Sequence, residues 1–151
     1  MRIVILERNS VGTDVSVDSI SKYGEITVYR NTTAEDVAER VKEADIIIAN
    51  KAPLNETTLK NAQKVKLICE FATGYDNVDL AYCKSRGIKV ANVVNYSTDA
   101  VAQHTFALCL YILEKLHHYD AYVKSGEYAS QDRFSNFDIP YTELAGKTWG
   151  I

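Results

Sequence analysis

The chain has 151 residues, of which 46% are hydrophobic and 25% charged, a composition typical of an ordinary globular domain or one lobe of a larger protein. The net charge of −3 argues against a protein that binds nucleic acid or an acidic membrane surface. The longest purely apolar run, residues 106–113, is much shorter than the ~18 residues expected of a membrane-spanning helix. We therefore expect a cytoplasmic protein with no nucleic-acid or membrane partner.

The three cysteines do not form a pattern. Cys69, Cys83 and Cys109 stand singly in apolar surroundings, with no Cys-x-x-Cys pair. Isolated cysteines of this kind are typical of buried, reduced thiols. The three histidines do not combine with them into a ligand set, so the sequence predicts no metal site.

Five apolar segments predict β-strands, at residues 2–6, 25–29, 44–49, 67–71 and 88–92. Segments with helical features separate them, at residues 15–23, from Thr32 or Thr33 to 42, 56–62 and 79–86. Such alternation predicts successive parallel β–α units. The expected fold is therefore α/β: a flavodoxin-like, doubly wound parallel sheet in the order 2-1-3-4-5, with both faces of strands one, three and four buried.

Asn55 is the expected cap of the helix at 56–62. Asp76, Asn77 or Asp79 is available to cap the helix at 79–86, and Gly87 ends it.

In an open parallel sheet, ligands bind beyond the carboxyl ends of the strands, here in the loops at 7–12, 50–54, 72–76 and 93–98. Gly74 lies in the third of these loops, where a glycine lets the backbone approach another group closely. N–H groups at the start of a following helix would favour an anion. Taken by itself, the segment is either an anion site or an ordinary strand–turn–helix corner.

Beyond residue 97 the regular alternation stops. Residues 99–116 predict one long helix, continuing to about Lys124, and its middle is apolar nearly all round. We expect a second domain or a partner subunit to cover it. Residues 146–151 resemble the beginning of a new strand, which predicts that the chain is an N-terminal fragment.

Three segments resemble the D-isomer-specific 2-hydroxyacid dehydrogenases. Residues 71–80, Phe-Ala-Thr-Gly-Tyr-Asp-Asn-Val-Asp-Leu, resemble the family's Gly-x-Asp-Asn-(Ile/Val)-Asp-Leu loop. Residues 92–108 resemble its domain-crossing segment, and residues 143–151 resemble the lead-in to its cofactor domain. The first sixty residues match only in pattern. Gln103, Asn50-Lys51 and residues 138–140 look most like the glycerate dehydrogenase (hydroxypyruvate reductase) branch.

The resemblance implies a two-domain, NAD- or NADP-dependent oxidoreductase that transfers a hydride between the cofactor and a small anionic 2-keto or 2-hydroxy acid. Residues 1–97 would be the substrate domain. Residues 98–151 would be the linker helix, an arm and the first strand of a truncated Rossmann domain. The family's catalytic Arg, Glu and His, and its Gly-x-Gly-x-x-Gly loop, would lie beyond the point that matches Ile151. This chain would therefore carry no catalytic residue and would be inactive alone.

By the same resemblance, the backbone N–H groups of Thr73 and Gly74 would bind the substrate carboxylate. Tyr96 would face the substrate side chain, and Thr73 and Val101 would lie near the nicotinamide. Independently of the resemblance, Lys51 follows strand three, where it would add positive potential for an anion or is simply a solvated loop lysine.

A homodimer through the helix at 99–124 is expected. The alternative to an enzyme is a binding protein of the same fold, namely a cofactor-sensing corepressor without turnover.

Overall fold

The computed structural model describes residues 1–150, which divide into two compact units, one from Met1 to Tyr96 and one from Ser97 onward. The first unit contains a five-stranded sheet in which every neighbouring pair of strands is parallel. The strand order 2-1-3-4-5 confirms the prediction. The strands are β1 (Arg2–Ile5), β2 (Glu25–Val28), β3 (Ile46–Ala49), β4 (Leu67–Glu70) and β5 (Lys89–Ala91).

Three short α-helices connect the strands: α1 (Val37–Val41), α2 (Glu56–Leu59) and α3 (Leu80–Ser85). The connection from β1 to β2 contains 3₁₀ turns at Arg8–Ser10 and Asp18–Tyr23, so the α-helix predicted at 15–23 was wrong. The helix predicted from Thr32 or Thr33 begins only at Val37. Thr32 does not cap it, because its hydroxyl donates a hydrogen bond to the Leu6 carbonyl and accepts one from Arg40.

The other two caps are as predicted. Asn55 and Thr58 form a capping box at α2: the Asn55 Oδ1 accepts from the Thr58 N–H at 3.3 Å and the Thr58 Oγ1 accepts from the Asn55 N–H at 3.0 Å. Asp79 caps α3 by accepting from the Tyr82 N–H at 2.9 Å. Gly87, with a φ of 69°, follows the end of α3.

The two faces of the sheet are covered unequally. The connections that contain α1, α2 and α3 all step in one direction across the sheet, and right-handed crossovers place such helices on one face. Their apolar residues form a single cluster with that face: Val37, Val41, Leu59 and Cys83 with Val4, Ile47 and Ile68. On the other face, Val17 and Ile20 of the β1–β2 connection and Phe71 after β4 pack against the sheet.

This asymmetry corrects the expectation for β4. Its side chains alternate: Ile68 and Glu70 are buried under the helices, whereas Leu67 and Cys69 are only half-buried on the thinly covered face. β4 is therefore not apolar and buried on both sides, and one of its two buried side chains is an acid.

The second unit contains α4 (Thr98–Leu113), α5 (Leu116–Lys124) and α6 (Glu127–Ser130). The single long helix that was predicted is interrupted, because Lys115 adopts a left-handed backbone conformation with a φ of 54°. None of the residues of α4, α5 and α6 is buried. Residues 147–150 form no strand, since no partner strand lies beside them in the described part of the chain, and Ile151 lies outside the described residues. Within residues 1–150, no helix combines the length and apolarity required to cross a bilayer.

Candidate anion-binding site

The turn after β4 contains neighbouring backbone N–H groups without an acceptor among residues 1–150, and those of Thr73 and Gly74 are among them. Ala72 is buried, whereas Thr73 and Gly74 are exposed. Neither the Thr73 N–H nor the Gly74 N–H donates a hydrogen bond to any of residues 1–150. Unpaired neighbouring N–H groups in a turn suit an anion, because the anion satisfies donors that otherwise face only water.

Gly74 is open on the side where a side chain would project. A Cβ built at Gly74 would meet only the Asp76 Oδ2, at an ordinary distance of 3.7 Å. The φ of Gly74 lies outside the left-handed region, so the backbone conformation does not itself require glycine. The lack of a side chain there leaves room for a ligand to approach the N–H groups.

The expectation that the start of the following helix contributes to anion binding at Gly74 was wrong. The helix dipole does not act at Gly74, because α3 begins only at Leu80 and has six residues. The donors of the candidate site belong to the turn itself.

The turn is tied to the segment that follows β5. The Thr73 hydroxyl donates to the Val93 carbonyl at 2.8 Å, and the Val93 N–H donates to the Ala72 carbonyl at 3.0 Å. The Asn92 side chain donates to the Thr73 carbonyl at 2.8 Å. These bonds fix the turn through its carbonyls and its hydroxyl and leave its N–H groups available.

The remaining predicted site residues lie on three other segments of the chain. Tyr96 is exposed, shortly after the segment that holds the turn, and Lys51 is exposed in the loop after β3. No ion pair involves the Lys51 ammonium among residues 1–150. Val101 lies on α4, in the second unit, where its side chain is exposed.

The loop that carries Lys51 is held by Glu7, which follows β1 after Leu6. One carboxylate oxygen of Glu7, Oε2, accepts hydrogen bonds from three successive backbone N–H groups, those of Asn50, Lys51 and Ala52, at 2.8, 2.8 and 3.0 Å. These N–H groups form a nest for an anion, and the anion is supplied by the chain itself. An external anion therefore has to use the Lys51 side chain or the turn at Gly74.

Asn77 joins the Lys51 loop to the turn. Its side-chain amide donates to the Ala52 carbonyl at 3.0 Å and to the Glu70 Oε1 at 3.3 Å. Its own carbonyl accepts from the Leu54 N–H at 2.8 Å. Burial raises the pKa of Glu70, and the Glu7 charge adds to the rise, whereas the Asn77 hydrogen bond and the Lys51 charge oppose it.

The sequence pattern signals the roles of Glu70 and Glu7 only weakly. Glu70 is an acid inside an otherwise apolar strand, and Glu7 directly follows a strand, but each bonds to residues that are distant or unremarkable in the sequence. Among residues 1–150, no group of histidine, cysteine and acidic residues could hold a metal ion. Burial raises the pKa values of the Cys69 and Cys83 thiols, which keeps both protonated.

The family model described as "D-isomer specific 2-hydroxyacid dehydrogenase, catalytic domain" matches residues 3–145. The chain belongs to this family. That assignment confirms the resemblance identified in the turn after β4 and in the segments that follow it.

Two relatives and one solved structure illustrate the match. The chain is 35% identical to glycerate dehydrogenase of Methylorubrum extorquens, covering 99% of this chain and 48% of that protein. It is 33% identical to hydroxypyruvate reductase of Blautia hydrogenotrophica, covering 100% and 48%. The structure of D-lactate dehydrogenase from Aquifex aeolicus, complexed with NAD and lactic acid, superposes with a TM-score of 0.71 at 28% identity, covering 95% of this chain and 41% of that one. The chain thus spans about half the length of the curated relatives that it matches.

Proposed function

We propose that this chain forms the substrate-binding part of an NAD- or NADP-dependent D-2-hydroxyacid dehydrogenase. The substrate would be a small 2-keto acid such as hydroxypyruvate. The observation that carries the proposal is the pair of unpaired N–H groups at Thr73 and Gly74. The turn that contains them is open to solvent and is fixed by hydrogen bonds to Asn92 and Val93. Two relatives that share about a third of their aligned residues with this chain, the glycerate dehydrogenase and the hydroxypyruvate reductase, support the choice of substrate.

In this proposal the two N–H groups bind the substrate carboxylate, and this contact orients the neighbouring keto group. Charge-assisted hydrogen bonds of this kind are roughly twice as strong as neutral ones. Lys51 adds positive potential at the same edge of the sheet, and Tyr96 contacts the substrate side chain. Domains are divided as the sequence suggested, with residues 1–97 forming the substrate domain.

The nicotinamide, when bound, supplies or accepts the hydride. Thr73 and Val101 are the residues of this chain that we place near it. The hydroxyl proton of Thr73 is already donated to the Val93 carbonyl, so its oxygen remains available as an acceptor. The chain contains no Gly-x-Gly-x-x-Gly sequence, so binding of the cofactor pyrophosphate falls to other residues of the longer parent protein that we propose contains this chain.

We further propose that the parent protein is a cytoplasmic homodimer. The exposed apolar side chains of α4 support an interface at that helix. The corepressor alternative receives no support from the relatives compared above.

The test is a spectrophotometric assay with hydroxypyruvate and NADH or NADPH. We expect the parent protein to consume the reduced cofactor and the 151-residue chain to show only background, because proximity and acid–base catalysis together account for many orders of magnitude in rate. A parent protein without activity on any 2-keto acid would refute the proposed reaction. Turnover by the 151-residue chain alone would refute the placement of the catalytic groups outside it.

A further inference from the structure

Glu70 is the one acidic or basic side chain that is buried among residues 1–150, with an exposed fraction of 2%. It is the last residue of β4. The turn that contains Thr73 and Gly74 follows it, starting at Ala72. Its Oε1 accepts the hydrogen bond from Asn77, and its Oε2 has no hydrogen-bond partner in the described chain. Burying a carboxylate with one oxygen unpaired is costly, whereas a protonated carboxyl group in the same place costs much less.

Hydrogen bonds connect Glu70 to the loops of the candidate anion-binding site through Asn77. The Asn77 side-chain amide donates the only side-chain hydrogen bond that Glu70 accepts in residues 1–150, and the same amide donates to the Ala52 carbonyl. Ala52 is one of the three residues whose N–H groups bind Glu7. The Glu7 carboxylate therefore binds the Lys51 loop directly, and the Asn77 side chain links the same loop to Glu70.

The charged groups around Glu70 make the binding of another anion nearby electrostatically unfavourable. The charged groups that act on Glu70 are Glu7, from the end of β1, and Lys51, from the loop after β3. When both carboxyl groups are ionised, these two acids and one lysine carry one net negative charge. A bound carboxylate at Gly74 would add a further negative charge. Protonation of Glu70 removes this conflict without breaking its bond to Asn77, because Oε1 remains an acceptor.

We propose that Glu70 positions the anion-binding turn and the Lys51 loop through Asn77, and that it takes up a proton from solvent when a carboxylate binds at Gly74. Glu70 is a positioning residue and does not touch the substrate. The inference rests on the proposed function, because it requires an anion at the turn.

The direction of the pH dependence follows from linkage. The added negative charge raises the Glu70 pKa in the complex above that of the free protein. Below the free-protein value Glu70 is already protonated, and affinity is constant. Between the two values affinity falls by up to about tenfold per pH unit, because binding then requires the uptake of a proton.

The experiment measures oxamate binding to the parent protein, saturated with NADH, by calorimetry. Titrations at the same pH in two buffers with different ionisation enthalpies give the number of protons taken up. The key variant is Glu70→Gln, which keeps an acceptor for Asn77 but cannot titrate. The matched control is Glu25→Gln, which removes the same charge from an exposed residue at the start of β2, at the opposite edge of the sheet.

We expect Glu70→Gln to take up fewer protons than the wild type, by up to one per site, and to show a flatter pH dependence of oxamate affinity. The control should match the wild type. Asn77→Ala should weaken oxamate binding roughly tenfold or more at every pH, since it removes the side-chain hydrogen bonds from the turn to Ala52 and to Glu70. Proton uptake by Glu70→Gln equal to that of the wild type would overturn the titration, and wild-type affinity in Asn77→Ala would overturn the positioning.

Two further measurements, an infrared difference spectrum and a turnover assay, distinguish failure of this inference from failure of the proposed function. If Glu70→Gln does not fold, the infrared difference spectrum of the wild type tests the protonation of Glu70. Oxamate binding should add a carboxylic-acid C=O band, and absence of that band would overturn the inference. Hydroxypyruvate turnover by the wild type is followed in parallel. Turnover without Glu70-dependent proton uptake would refute this inference alone. Glu70-dependent uptake without turnover would refute only the proposed reaction, and failure of oxamate to bind the wild type would refute both.

Discussion

At the scale of single residues, Gly74 and Gly24 illustrate two different uses of glycine. A Cβ at Gly74 meets nothing closer than 3.7 Å, whereas a Cβ at Gly24 would lie 2.1 Å from the Met1 backbone carbonyl oxygen. The first glycine leaves space for a ligand, and the second allows two backbone segments to pack against each other. A side chain at Gly24 is therefore expected to destabilise the fold, whereas one at Gly74 is not.

We expect Gly74→Val in the parent protein to lower kcat/KM for a 2-keto acid roughly tenfold to a hundredfold, because it blocks a hydrogen bond to a charged group. The melting temperature should change by no more than about 2 °C, since substitutions at open surface positions cost about 0.5 kcal/mol or less. Steady-state kinetics and thermal unfolding measure both quantities. Gly24→Ala, the control, should give the opposite pattern: clear destabilisation with normal kinetics in the folded protein. Unchanged kcat/KM in Gly74→Val would place the carboxylate elsewhere.

At the scale of elements, the α2 cap is the local signal that the structure follows most directly. We expect Asn55→Ala to reduce the free energy of unfolding by about 1 kcal/mol, because it removes half of a capping box. Chemical denaturation of the 151-residue chain measures the loss. Asn61→Ala is the matched control, since Asn61 is exposed and makes no side-chain hydrogen bond among residues 1–150, and it should change stability by less than about 0.5 kcal/mol. Equal losses in the two variants would show that the box contributes nothing.

The sheet was predictable from sequence because its central strands are short apolar runs separated by capped segments. The order of the strands followed from the rules for parallel β–α units. The lengths of the helices were not predictable in this way. The segment before Val37 forms turns, because the Thr32 hydroxyl bonds to the Leu6 carbonyl instead of capping a helix. The interruption at Lys115 has no proline or glycine to signal it.

The candidate site was predictable in part. The turn at Gly74 was identified from a local motif, and its unpaired N–H groups fit the expected role. Glu7 was missed, because its three partners lie 43 to 45 residues away along the chain and the hydrogen bonds exist only in the folded sheet. Glu70 was missed because an acid within an apolar strand gives no indication of which side chain it will meet.

At the scale of the whole molecule, the unusual feature is the exposed apolar surface of α4. Phe106, Leu108 and Ile112 are 53%, 52% and 65% exposed, and none of the residues of α4 is buried. Burying such a side chain contributes roughly 1.5–3 kcal/mol. Several of them together are comparable to a domain's net stability of about 5–15 kcal/mol. In the parent protein we expect the cofactor domain and a second subunit to cover this helix.

In the isolated 151-residue chain, we expect the same surface to drive self-association through α4. Sedimentation at several protein concentrations should show a dimer or larger species, and Leu110→Glu and Ile112→Glu should each shift it toward the monomer, because a charge in the interface would have to be desolvated. His104→Glu is the matched control: it places an acid at an exposed polar position of the same helix and should leave the association nearly unchanged. A monomer at all concentrations, unaffected by either charge, would show that α4 is covered within a single chain and would contradict the proposed interface.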